Sequence, residues 1–434
     1  MACLSFVVAE LGTSVGNASS GSLYLGFMVT ALFFSANLVT RVGAKQALVV
    51  GASLYSVYIL SLAIAASTTG NVALIICIVG GIVGGSAAGI LLTASGTYFS
   101  LSARDYTLIT GCSIEQSTTK LSSYMAAILL ASEVVLKLLA SLIVSITNTW
   151  VVMVIVLLVL SIVSALGIML TVITPNPSNA SVVASSTAVL NENDSDGGFC
   201  KKKFDGAKQV IQGWYNDPRF LLAGGINVTF GFTSAYMNSY INGTVVKNKF
   251  GDGAIGAMAA ITPAISGLTT VPIAWYSLKK DAKSPFVWAA SVSAFFIAFF
   301  GLILPIETLS SLTILCLIYS FEGVLRCIFE GINKAIFADF FQKQPEVAFA
   351  TIIVQSGGTS ALAFILMSAG IQEGVIGGMA LFCAVATVPL FLFAQRISVS
   401  EEKSSSIKSK MSGRYGKAMN VEETSKEWSN IVVE

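Results

Sequence analysis

Residues 150–173 read WVVMVIVLLVLSIVSALGIMLTVI, with no charged position among them. At 1.5 Å per residue this helix would be about 36 Å long, enough to cross a hydrocarbon core of roughly 30 Å. A helix apolar on every face lies either deep in a large core or in lipid. Composition decides between the two. Of 434 residues, 54% are hydrophobic and only 11% charged, with a mean hydropathy of +0.79. A soluble domain carries roughly 25% charged residues, so the solvent here is the bilayer.

Working outward from that stretch, similar runs fall at 21–40, 47–66, 72–95, 122–145, 219–240, 254–277, 285–305, 309–332, 347–369 and 375–395. With 150–173 they make eleven full spans. A twelfth candidate comes first, at 2–15, and at about 21 Å is short of a crossing; we read it as truncated or tilted. It has no basic leader region and no small-residue cleavage site, so it is not a signal peptide. The expectation is an all-α, polytopic bundle of about twelve transmembrane helices, the first one short.

Lys and Arg set the orientation. They cluster after spans two (Arg41, Lys45), four (Arg104, Lys120), six (Lys201 to Arg219), eight (Lys279, Lys280, Lys283) and ten (Lys343), and in the tail from Arg396. The other loops hold only Lys247 and Lys249. Both termini are therefore expected in the cytoplasm. Sequons at Asn17 and Asn242 fall in the outer loops this predicts, and are expected glycosylation sites.

Segment 174–218 is polar, and in it Phe204, Ala207, Val210, Ile211, Trp214 and Tyr215 recur at helical spacing, predicting an interfacial helix. The tail, 396–434, is charged and Ser-rich and is expected to be disordered. This gives four units: 1–173 and 219–395 as six-helix halves, 174–218 as a central cytoplasmic loop, and 396–434 as the tail. A repeat supports the halves. Ala36-x-x-x-Thr40-Arg41-Val42-Gly43-Ala44-Lys45 recurs 238 residues on as Ala274-x-x-x-Leu278-Lys279-Lys280-Asp281-Ala282-Lys283, as duplication would leave it.

Several function classes drop out. The chain has no histidine, which removes the commonest general base and zinc ligand. Seven scattered cysteines form no CxxC pair, so no metal, disulfide framework or cofactor is expected. A net charge of +2 gives no support to a nucleic-acid partner. Without a Ser-His-Asp set or an ATP-binding motif, neither an enzyme nor a primary pump is expected.

The informative residues are charges inside spans, each costing about 2.5–3.5 kcal/mol at mid-bilayer. Glu133 and Lys137 in span five are four apart, the spacing of a local ion pair. Span ten carries Glu322, Arg326, Glu330 and Lys334, each four apart on one stripe. Glu322 and Arg326 read as a central pair that could meet a solute or a proton; the bland alternative is a set of charges holding helices together. Asn227 and Tyr236 in span seven are further candidates for lining a cavity. In span four, Gly81, Gly85 and Gly89 repeat at the small-xxx-small spacing that brings helix backbones together.

The turn Thr40-Arg41-Val42-Gly43-Ala44-Lys45 resembles the loop after helix two in the major facilitator superfamily. Arg41, Gly43 and Lys45 match, while Ala36 and Thr40 stand where Gly and Asp are usual. The resemblance implies a cytoplasmic latch, and the lost Asp removes its charge partner. A closer resemblance rests on Gly21-Ser-Leu-Tyr-Leu-Gly26, Arg41 to Lys45, Gly51 to Tyr58, Gly84 to Gly89, Ser95-Gly-Thr-Tyr98, Asp217-Pro-Arg219, Glu346 to Ala350 and Gln355-Ser-Gly357. Together they look like the Unc-ninety-three-like ion-channel regulatory family, a branch of that superfamily. This implies twelve helices arranged six plus six. It also implies transport of a small solute or ion across a plasma membrane or endomembrane by alternating access. The alternative is a non-transporting regulator or trafficking partner of a channel or receptor.

Overall fold

The computed structural model describes residues 4–68, 70–111, 114–147, 149–172, 208, 210–280, 283–341 and 345–400. The chain runs through α1 (Leu4–Phe33), α2 (Ser35–Val42), α3 (Ala44–Ala66), α4 (Gly70–Thr110), α5 (Ile114–Thr147) and α6 (Trp150–Thr171). It continues through α7 (Arg219–Phe250), α8 (Asp252–Lys280), α9 (Ser284–Ile303), α10 (Leu312–Glu330), α11 (Pro345–Ser368) and α12 (Glu373–Ser400). Short helices Ile306–Leu309 and Ile332–Phe340 flank α10. Among the described residues ten segments are long and apolar enough to cross a membrane. The long arm of α1, 13–33, packs along α4 and is not one of those ten.

The chain's start differs from the expected spans at 2–15 and 21–40. α1 turns at Gly12 (φ 81°, ψ 163°), a conformation that favours glycine. Residues 4–11 fold back on the long arm, where a Cβ on Gly16 would lie 2.5 Å from the Cα of Val8. Phe6, Val7 and Val8 are buried in the main core. Residues 16–20, expected as an outer loop, are therefore helical, and Asn17 is 1% exposed. Asn242 is likewise buried, inside α7. A glycan acceptor must be accessible, so the outer-loop placement of both sequons is corrected.

Other elements outrun their apolar cores. α4 extends to Thr110 and α5 begins at Ile114, so residues expected as a loop are mostly helical. α12 continues to Ser400, taking 396–400 out of the expected tail; 401–434 lie outside the described residues. So do 173–207, including Lys201, Phe204 and Ala207. Of the expected interfacial helix, 210–216 is helical. Val210 is buried against Phe220, Phe337 and Val347, and the Trp214 indole donates to Thr351 Oγ1 at 2.9 Å. Ile211 and Tyr215 face outward.

Segments before and after the central loop touch most extensively through α1 with α11 and α5 with α8, and also through α1 with the π-helical part of α7 and with α8. Tyr24 stacks on Phe364 in the first pair. In the second, Gly256 lets α8 approach the backbone of Lys137. At the ends away from the basic turns, Ser368 donates to the carbonyl of Ser14 at 2.9 Å and Lys247 pairs with Asp252 at 3.1 Å. Lys247 also donates to the carbonyl of Ala9. Inside α7, residues Met237–Val246 form a π-helix.

Candidate functional site

The intramembrane charges converge from two helices, α5 and α10, against neutral groups of α8. Glu133 and Arg326 each lie fourteen residues from their helix ends at Thr147 and Leu312, about 21 Å along the helix. α8 is the backboard. Gly256 admits α5, and Gly323 of α10 sits where a Cβ would be 2.8 Å from the carbonyl oxygen of Thr262.

Arg326 makes a bidentate contact with Glu133, Nη1 to Oε1 at 2.9 Å and Nη2 to Oε2 at 2.7 Å. Its Nε donates to Glu330 Oε1 at 2.9 Å. Lys137 contacts Glu133 at 3.1 Å and donates to the carbonyl of Ala259 at 3.0 Å. Paired fork geometry is the strong form of an ion pair, and 7% and 8% side-chain exposure for Lys137 and Glu133 shields it from water. Exposure rises toward the basic end, to 40% at the Glu330 side chain.

The local pairing read from spacing thus holds for Glu133 with Lys137 and for Arg326 with Glu330. It fails for the expected central pair: Glu322 accepts from the Thr262 hydroxyl at 2.7 Å, and Arg326 reaches Glu133 on the other side of the central loop instead. The bridge joins residues 193 positions apart, which helical spacing cannot reveal. Thr262 and Ala259 were missed for a plain reason, being a neutral residue and a backbone carbonyl. Formal charges over Glu133, Lys137, Glu322, Arg326 and Glu330 sum to −1, three acids against two bases.

Asn227 and Tyr236 lie elsewhere. Asn227 is fully buried, donates to Gln355 at 2.8 Å and accepts from Asn333 at 2.6 Å. Tyr236 is buried against Gly301 and Gly377, toward α9 and α12. Both lie in the packing of 219–395, apart from the charged group. Gly81, Gly85 and Gly89 face the long arm of α1, where added methyls would meet Ser22, the backbone of Leu23 and Phe27, and Ala31 and Thr30. In the turn between α2 and α3, Gly43 (φ 86°) ends α2 and starts α3, Arg41 is exposed and Lys45 half-buried. In the matching turn before α9, Lys283 pairs with Asp339.

The fold and this charged seam define a major-facilitator-type membrane protein, transporter-like in architecture. The chain is similar to the solved structures of the nucleoside transporter NupG (TM-score 0.59, 13% identity, 90% of this chain and 92% of that one). It is also similar to the inward open xylose transporter XylE from E. coli (0.58, 14%, 89% and 91%). A third likeness is to a peptide transporter POT in complex with sulfate (0.57, 15%, 92% and 91%). A search of curated proteins returned no match. The family model described as Ion channel regulatory protein UNC-93 matches residues 10–268. The chain belongs to that family.

Proposed function

We propose that this protein moves a small solute or ion across its membrane by alternating access, with the Glu133–Arg326 bridge as the lock between two six-helix halves, 1–173 and 219–395. One observation carries the reading: a bidentate, buried ion pair spans the contact between segments on either side of the central loop. Such a pair contributes little net stability, because desolvation offsets the attraction, yet losing one partner is expensive. That suits a contact that must open and re-form. Glu322, Glu330 and Lys137 belong to the same site, whose formal charge of −1 favours a proton or another cation as one participant. Arg41, Gly43 and Lys45 serve as a latch on the cytoplasmic side, where both termini lie.

Purified protein in liposomes tests this. Uptake of rubidium, nucleosides, sugars and dipeptides is measured for the wild type, Arg326→Ala and Glu133→Gln. The expected result is uptake of at least one solute, reduced at least tenfold in both variants. The family description favours a second reading, a non-transporting regulator of a channel. Absence of flux for every solute, together with a channel that co-purifies reproducibly from native membranes, overturns transport in its favour.

A further inference from the structure

Away from the charged seam, α9 and α12 meet along a line where the Ser291 hydroxyl donates to the carbonyl of Ala384. Val287, Ala290 and Ala294 face Ala384 and Phe391 on its protein side. On its outer side is a groove of about 460 Å³ lined by Trp288, Phe295, Val388, Pro389, Leu392 and Arg396. Such a volume lies within the roughly 300–1,000 Å³ of pockets that bury most of a small ligand. Pro389 cannot donate to the carbonyl of Val385; the groove lies along this turn of the continuous helix α12.

The groove has direction. From Val385 to Arg396 is eleven residues, about 16 Å along the helix, close to half the roughly 30 Å hydrocarbon core. One end is apolar. The other ends at Arg396, which is exposed and forms no ion pair with any described residue. Arg396 lies at the basic end of the bundle, where Arg219 of α7 reaches Ser398. Trp288, 52% exposed, lies in the first turns of α9 at that same end, and indoles favour the depth where headgroups meet acyl chains.

We propose that this groove is a binding site for one anionic phospholipid of the leaflet on the basic face. Its acyl chain lies between α9 and α12 over Val388, Leu392 and Phe295. Its phosphate sits on Arg396. Length selects a chain confined to one leaflet, and Arg396, the one cation among the described lining residues, selects a headgroup of net negative charge. A basic residue near a membrane surface adds about 1 kcal/mol toward anionic lipid, about fivefold in preference. This site is independent of any transport activity.

The test is lipid retention by the full chain in detergent. Protein is equilibrated with equal dioleoylphosphatidylglycerol and dioleoylphosphatidylcholine, and retained lipids are counted by native mass spectrometry. The expected wild-type result is one phosphatidylglycerol retained in about fivefold preference over phosphatidylcholine. Arg396→Ala should abolish the preference, Arg396→Lys should keep it, and Leu392→Trp, which fills the groove, should expel the lipid. Arg104→Ala, a basic-face change outside the groove, should leave retention intact. Equal retention of both lipids by the wild type overturns the proposal, as does a loss in Arg104→Ala equal to that in Arg396→Ala. Thermal melting of each variant confirms that it is folded; should Leu392→Trp fail to fold, the Arg396 pair still decides.

Discussion

Two seams in this molecule are built from opposite materials. Where α4 meets the long arm of α1, contact is glycine against backbone: Gly81 and Gly85 leave no room for a methyl beside Ser19 and Leu23, and Gly89 fits tightly against Thr30 and Ala31. Where α5 meets α10, contact is carboxylate against guanidinium, with Lys137 beside the same carboxylate and the Thr262 hydroxyl of α8 on Glu322. The first gains its energy from many small dispersion contacts that vanish with a slight separation. It suits helices that stay together. The second has two good endpoints, paired or solvated, so it suits helices that part. On the proposed function, the same chain separates packing that stays closed from a contact that opens and re-forms.

Breaking the charged seam should have the largest effect. Arg326→Ala leaves Glu133 with Lys137 as its remaining ion partner and frees the part-exposed Glu330, and should destabilise the protein by up to about 3 kcal/mol, read as a fall in melting temperature in detergent. Glu133→Gln combined with Arg326→Gln should recover part of that loss; a double variant as unstable as Arg326→Ala would remove the pair as the seam's organiser. The glycine seam comes next. Gly85→Ala should cost about 1–3 kcal/mol through overpacking, because the obstructing group is a backbone carbonyl. Gly96→Ala on the same helix, where a Cβ meets nothing within 4 Å, should be neutral or stabilising by up to about 1 kcal/mol. Equal losses at both positions would show that the contact at Gly85 is not the cause, since helix propensity favours Ala at each. Thr262→Val sharpens the charged side by removing the donor to Glu322, an expected loss of about 1.5 kcal/mol. The smallest effect is none: Asn17→Gln with Asn242→Gln should leave gel mobility unchanged before and after glycosidase treatment.

Hydropathy made the bundle readable, because lipid demands long apolar helices with their backbone groups satisfied internally. Boundaries were read less well, for identifiable reasons. Asn17, Ser19 and Ser20 look like loop residues, but a buried helix tolerates them, and the real turn is the single Gly12. The polar ends of α4 and α5 carry no apolar signal, so their continuation as helix was invisible. At the candidate site, the charge stripe and its local pairs were legible because helical spacing is local geometry. The bridge from Arg326 to Glu133 was not, since it depends on which helices become neighbours. Tyr236 and Asn227 were drawn to the wrong surroundings by polarity alone; span and residue type do not reveal which face of α7 looks inward.

The π-helical stretch Met237–Val246 has a mechanical consequence. Its wider turns make α7 a coil wound slack. Rewinding by one residue to ordinary α geometry would turn everything beyond it by about 100°, carrying Lys247 off the carbonyl of Ala9. A ratchet of that kind needs no hinge: one tooth of travel, stored in the winding itself, is enough to undo a clasp at the far rim.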